Sequence, residues 1–125
     1  MAYTGPIRRW DLFWADLEPH VGSEQAGKRR PVLVISNNAV NRLLRVATVL
    51  PLTKLEGKGR QVHDFEVQLP PGVVDQYTSI ALPHQIRTLS TLRLLAKIGT
   101  LRDAKARAEV EEKVLDHLGI ELDDE

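Results

Sequence analysis

Short runs of apolar residues with a period of two fill the first hundred positions of the chain, and the period lengthens to about four in the last quarter. Trp10, Leu12 and Trp14 alternate with Asp11, Phe13 and Ala15, so large side chains fall on both faces. That spacing predicts a central strand ending at Leu17. Glu18 to Pro31 has no apolar period and carries glycine, proline and charge throughout, which predicts a long surface loop of the kind that often holds function. Val32 to Ile35 is a continuous apolar run and reads as a buried strand. Asn37, Asn38 and Asn41 mark a turn region with a helical turn around Arg42, and Val46 to Leu52 is a third strand whose Pro51 belongs near an edge or bulge.

His63 to Leu69 is predicted as a fourth strand, with Phe65, Val67 and Leu69 on a dry face and Asp64, Glu66 and Gln68 on a wet one. Pro70, Pro71 and Gly72 turn the chain, and Tyr77 to Leu82 and His84 to Leu89 follow as short strands with a kink at Pro83. Strands of this length and spacing predict a small antiparallel barrel over about residues 7–100. After Thr100 the pattern becomes helical over about residues 103–118: Asp103 is a candidate N-cap, Ala106, Val110, Val114 and Leu118 form an apolar stripe, and Gly119 can close the end. Glu109 and Lys113 are spaced as an i,i+4 ion pair. The expectation is an α+β fold in one domain over residues 1–125, with the acidic tail 121–125 as a solvated end.

Composition adds mainly exclusions. With 42% hydrophobic residues and seventeen Lys+Arg against seventeen Asp+Glu, the chain has the balance of a globular protein. It has no cysteine, so disulfides, thiolate zinc sites and a cysteine nucleophile are ruled out. A reducing compartment, the cytoplasm, is expected. No apolar run reaches the roughly 18 residues of a membrane span, and arginines interrupt the N-terminal segment where a signal peptide would be apolar. The neutral total conceals a dipole, since residues 1–100 carry thirteen basic and eight acidic side chains and residues 101–125 carry four and nine. Lys28 to Arg60 concentrates eight basic residues against Glu56 alone, which favours a polyanionic partner.

Gly22 to Lys28, GSEQAGK, fits the first seven positions of a phosphate-binding P-loop but fails at Arg29, where a hydroxyl is needed, and leads into Pro31 and a strand in place of a helix. Nucleotide hydrolysis is excluded on those grounds. His20, His63, His84 and His117 show no metal-ligand spacing, so neither metal nor cofactor is expected. His20 and His84 lie at loop and strand-end positions where an imidazole can act as acid or base.

The segment DLFWADLEPHVGSEQAGKRRPVLVIS resembles the start of the MazF/PemK toxin endoribonucleases, with an aromatic strand, a GSEQ loop, an Arg-Pro pair and a hydrophobic strand. The resemblance continues at LPLT (Leu50–Thr53), at HQIRTL (His84–Leu89) and in the closing helix. It implies a small SH3-like barrel of the PemK/CcdB type with a C-terminal amphipathic helix, forming a homodimer. The implied activity is metal-independent, sequence-selective cleavage of single-stranded RNA, silenced by a cognate antitoxin with an acidic disordered tail. By the same resemblance Arg30, Thr53 and Glu24 carry the catalysis. Ser23, Gln25, Lys28 and Arg29 in the loop, with Lys54, are assigned to RNA binding, as are His84, Gln85 and Arg87. The alternatives are a binding-only toxin on the same fold that inhibits DNA gyrase and a catalytically inactive RNA-binding module.

The chemistry is consistent with those residue types. Metal-free cleavage needs a base for the 2′-OH, donors for the charged phosphorane and a proton for the leaving 5′-oxygen. A guanidinium fork and a neighbouring hydroxyl supply the donors, whereas the base is open between Glu24 and His84. One departure stands out: GSEQAGKRRP holds one residue more between glycine and proline than the family spacing, so the catalytic register falls on Arg29 or Arg30. Pro31 makes Arg30 the more rigid of the two.

Overall fold

The computed structural model describes residues 2–56 and 60–122. Strand β1 (Asp11–Ala15) leads through the long loop into β2 (Arg30–Val34). A short helix α1 (Asn38–Leu43) follows, capped by the Asn37 side chain, which accepts the Val40 N–H. The remaining elements are β3 (Val46–Lys54), β4 (Val67–Gln68), β5 (Ser79–Ala81), β6 (Arg87–Ser90), β7 (Leu94–Thr100) and helix α2 (Ala104–His117). All strand pairs are antiparallel, in the order β4-β5-β3-β2-β1-β7. β3 organises the sheet: β2 lies on one edge, and β6 and then β5 share the other, Val49 pairing with both Val34 and Arg87. Among the described residues β4 and β7 are not paired, so this barrel-like sheet is open along that line.

The sheet is dry on both faces, as the large alternating side chains of β1 require. Phe13, Val32, Val34, Ala47, Val49 and Leu89 fill one side, and Leu12, Leu33, Leu50 and Leu52 pack on the other against Ala106 and Val110 of α2. Asp103 caps α2 by accepting the Ala106 N–H at 2.8 Å, and Gly119 ends it with φ +70°. The apolar stripe is shorter than expected, for Val114 is half-buried and Leu118, at the cap, is exposed. Glu109 and Lys113 are not paired; Glu111 instead reaches back to Arg9 at 3.2 Å. The acidic tail lies outside the described residues from Asp123 onward.

Three strand expectations change. The predicted strand His63–Leu69 shrinks to Val67–Gln68, because His63 to Glu66 form a turn. Glu66 is buried there, with its carboxylate accepting Arg60 Nη2 at 2.7 Å and the His63 N–H at 3.1 Å. Its neighbour Phe65 is turned out, 50% exposed. A carboxylate fully engaged inside a turn outweighs the alternation that would have buried Phe65. His84 and Gln85 belong to a 3₁₀ turn (Pro83–Gln85) ahead of β6, since Pro83 suits the first position of such a turn and cannot donate to a ladder. β7 had no clear signature: only Leu94 is buried, Gly99 interrupts the run, and two register shifts against β1 blur the alternation.

This arrangement predicts opposite costs for two phenylalanines. Phe13→Ala removes a fully buried ring and should cost about 3–5 kcal/mol in a urea titration. Phe65→Ala should cost less than about 1 kcal/mol, and a cost equal to that of Phe13 would return Phe65 to the core.

Candidate active site

The site forms where the β1–β2 loop closes over the start of β2 and the end of β3. The loop is drawn shut at its neck: Leu17 N–H donates to Gly27 O and Gly27 N–H to Glu18 Oε2, both at 2.8 Å. The Gly27 N–H, and after it the His20 ring, holds the Glu18 carboxyl below its ordinary pKa. From the β6–β7 connection Arg93 Nη1 donates to the carbonyls of Asp16 and Glu18. Gln85 spans the other side, its Oε1 accepting the Gln25 N–H at 3.2 Å and its Nε2 donating to Ser23 O at 3.1 Å. Glu24 closes a turn within the loop by accepting the Val21 N–H at 2.6 Å.

Strand register brings Arg30 and Thr53 close to one another at one end of the sheet. Val32 pairs with Pro51 and Val34 with Val49, and the same register continued by two residues puts Arg30 opposite Thr53 on the same face of the sheet. Both line a cavity of about 220 Å³ together with Trp14, Arg29, Lys54 and Tyr77. The Arg29 guanidinium lies 4.6 Å from the centre of the Trp14 ring, and Lys54 Nζ lies 3.9 Å from that of Tyr77. The stem of Arg30 runs against Gly27, whose φ is +124°; a Cβ on Gly27 would sit 2.5 Å from Arg30 Cγ. Arg30 Nε is buried without a partner among the described residues.

Thr53 also borders a second cavity, of about 360 Å³, which Gln25, Arg60, His63, Phe65, His84 and Gln85 help to line. Burial holds the His84 imidazole below its ordinary pKa against the opposing charge of Glu66, so the ring is neutral at neutral pH. Among the described residues no three His, Asp or Glu side chains converge as a metal site would require.

Arg30, Thr53, Arg29 and Lys54 therefore share one cavity, and Thr53, Gln25, His84 and Gln85 the other. Ser23 contributes its carbonyl to Gln85, and Lys28 is an exposed neighbour of the loop neck. Neither Glu24 nor Arg87 lines these cavities; Arg87 pairs with Val49, four residues and about 13 Å back along β3 from Thr53. The basic segment from Lys28 to Arg60 is likewise divided. Arg42 and Arg45 stand at the far end of β3, and Lys58 lies outside the described residues. The sequence reading missed Glu18, Trp14, Tyr77 and Phe65 as site residues, since nothing in their spacing marks a loop clasp or a cavity wall.

Fold and site together define a small antiparallel β protein with a cleft bordered by Arg29, Arg30 and Lys54. Residues 8–118 match the family described as PemK-like, MazF-like toxin of type II toxin-antitoxin system, and the chain belongs to that family. It is 38% identical over 116 residues to Endoribonuclease EndoA of Bacillus subtilis (strain 168), covering 93% of this chain and 94% of that one. MazF from Deinococcus radiodurans superposes with a TM-score of 0.77 at 28% identity, covering 94% of this chain and all (100%) of the other. The MazE-MazF crystal structure (Form-III) from the same organism gives 0.70 at 28% identity, again covering 94% and 100%.

Two outcomes test this geometry. Gly27→Ala should cost about 1–3 kcal/mol of stability through backbone strain and should displace Arg30; an unchanged urea midpoint would contradict the close approach. Because the His84 pKa is lowered in the folded state, the unfolded chain takes up the proton first as pH falls below about 6.5. Stability should therefore drop from pH 7.5 to 5.5 by more in the wild type than in His84→Gln, compared by urea midpoints.

Proposed function

We propose that this protein is a toxin endoribonuclease that cleaves single-stranded RNA without a metal ion, by attack of a 2′-oxygen on the adjacent phosphorus. The observation that carries this reading is that Arg30 and Thr53 line one cavity together with Arg29 and Lys54. The 2′-O–P bond forms as the P–O5′ bond breaks, and the products are a 2′,3′-cyclic phosphate and a 5′-hydroxyl. Arg30 can present two parallel N–H donors to the phosphoryl oxygens, while Thr53 adds a neutral one. A base must take the 2′-OH proton, and an acid must give one to the leaving 5′-oxygen. His84 is neutral and borders the cavity shared with Thr53, whereas the Glu24 carboxylate is engaged with the Val21 N–H. A binding-only inhibitor has no use for a guanidinium and a hydroxyl converging on one phosphate.

In this reading the strands and α2 act as a single unit, because Val110 fills the core and Glu111 is tied to Arg9. The compartment is the cytoplasm, where messenger RNA is available; no described helix is long and apolar enough to cross a membrane. The cognate antitoxin is an acidic, disordered segment with apolar anchors, to which the cationic rim and the Trp14, Leu52 and Val74 walls of the smaller cavity are suited. Two copies pair through the exposed Leu43, Leu44 and Leu92, brought together at the far end of β3 where Thr91 N–H donates to Arg45 O.

Purified protein should cut single-stranded RNA in EDTA, and duplex RNA should be a poor substrate. Loss of cutting in EDTA with recovery in magnesium would overturn the mechanism. Arg30→Ala should lower the rate by about 10²- to 10³-fold with a modest loss of affinity, and Arg30→Lys should not restore it. Arg29→Ala should mainly weaken binding. With about four phosphate contacts, affinity should fall roughly 50-fold between 50 and 200 mM salt, and a salt-insensitive affinity would point to a protein ligand instead.

A further inference from the structure

Phe65 is out of place by the logic of its own segment. The alternation from Asp64 to Leu69 calls for Phe65 inside and Glu66 outside, and the structure has the reverse. Half of a phenylalanine is left in water, and a carboxylate is buried and held by Arg60 and the His63 N–H. Local rules broken in this way, at a costly residue, collect at functional sites. The ring does not stand alone. It stacks on His63 with centroids 5.1 Å apart and planes 5° from parallel, and meets His84 edge to face at 4.9 Å and 83°. All three rings line the cavity that shares Thr53, and two buried polar atoms with no partner among the described residues, Arg60 Nε and His84 Nδ1, belong to the same lining.

The aromatic residues of the other cavity are less available. The Trp14 ring is covered by Arg29 and the Tyr77 ring by Lys54, so a base arriving there would have to displace a cation. We propose that the His63–Phe65 stack, with His84 packed perpendicular to Phe65, is the platform on which one unpaired nucleobase flanking the scissile phosphate is stacked. This makes Phe65 a substrate-binding residue for the cleavage and rests on the endoribonuclease reading above. A phosphate held between Arg30 and Thr53 has its two nucleotides on opposite sides, and Thr53 is the residue common to both cavities. One of those nucleotides is thereby directed to the stack. A purine or pyrimidine face extends such a stack, and the partner is an RNA base exposed in a single strand.

The test uses the full-length protein and a short single-stranded RNA oligonucleotide containing a cleavage site first mapped with the wild type. A second set of oligonucleotides carries one abasic nucleotide at each position around the cut. Phe65→Ala should lower kcat/KM on the intact oligonucleotide by about 5- to 150-fold, the range expected for one lost base stack, with the urea midpoint nearly unchanged. Phe65→Trp should retain activity. The abasic substitution at one flanking position should cost the wild type a similar factor and cost Phe65→Ala little more. Equal kcat/KM for wild type and Phe65→Ala would overturn the proposal. So would a loss in Phe65→Ala accompanied by undiminished abasic penalties at every position, which would mark the ring as merely structural. If the wild type cuts no RNA, the endoribonuclease reading itself fails; if it cuts and the platform tests fail, only the platform does.

Discussion

The Arg30 stem can lie where it does because the residue beneath it, Gly27, has no side chain. With φ at +124°, Gly27 occupies backbone space that an L side chain rarely enters, and any Cβ there would meet the second carbon of the arginine. Gly27 is in turn clasped by its own backbone, through Leu17 N–H and the Glu18 carboxylate. The loop thus has a rigid neck, and the arginine leaves it at the first residue of a strand whose register is set by buried neighbours. Val32, Leu33 and Val34 are fully buried between two apolar clusters, so a slip of one residue would turn each of them to the opposite face. The position of a charged group at the end of an interior strand is therefore set by hydrophobic packing a few residues away. A group that must meet a developing charge in fixed geometry gains from being mounted in this way.

The loop is held by two residues distant in sequence and by the strands that flank it. Arg93 grips the carbonyls before it, Gln85 bridges two of its residues, and β1 and β2 carry its ends. Gln85, which the family resemblance assigns to RNA, has its amide engaged with the loop backbone. It is placed to shape the cleft as well as to line it. Electrostatics is divided in a similar way. Arg29 and Lys54 rest over aromatic rings that keep them beside the cavity, whereas Arg42 and Arg45 are carried to the other end of β3. The surplus of positive charge in one stretch of sequence becomes two separate groups because a nine-residue strand runs between them.

Glu66 shows how one polar residue can redirect a segment. Burying a carboxylate is unfavourable unless its oxygens are satisfied, and here Arg60 and the His63 N–H satisfy both of them. The turn this creates cuts a predicted strand to two residues and puts an aromatic ring at the mouth of the cleft. His84 is brought to the same place by Pro83, which ends the previous strand and begins a 3₁₀ turn. Burial there keeps the imidazole neutral, as a proton acceptor must be.

The sequence by itself determined the class of the fold, the order of most strands, the helix with its Asp103 cap, the family and the loop that carries Arg30. These rest on local quantities: the period of apolar side chains, the turn preferences of glycine and proline, and a motif of contiguous residues. Only the tertiary structure decided that Arg30 and Thr53 line one cavity, since that depends on the register of two strands joined through α1, and that Gly27 makes room for the arginine. It likewise decided that Glu24 turns into its own loop, that Leu94 to Thr100 is an edge strand, and that Phe65 is outside and Glu66 inside. In each case the deciding partner, whether Arg60 for Glu66 or β1 for β7, lies elsewhere in the chain. Alternation describes what a strand does when its two faces differ only in polarity; it has no term for a distant guanidinium that makes a buried carboxylate the better choice.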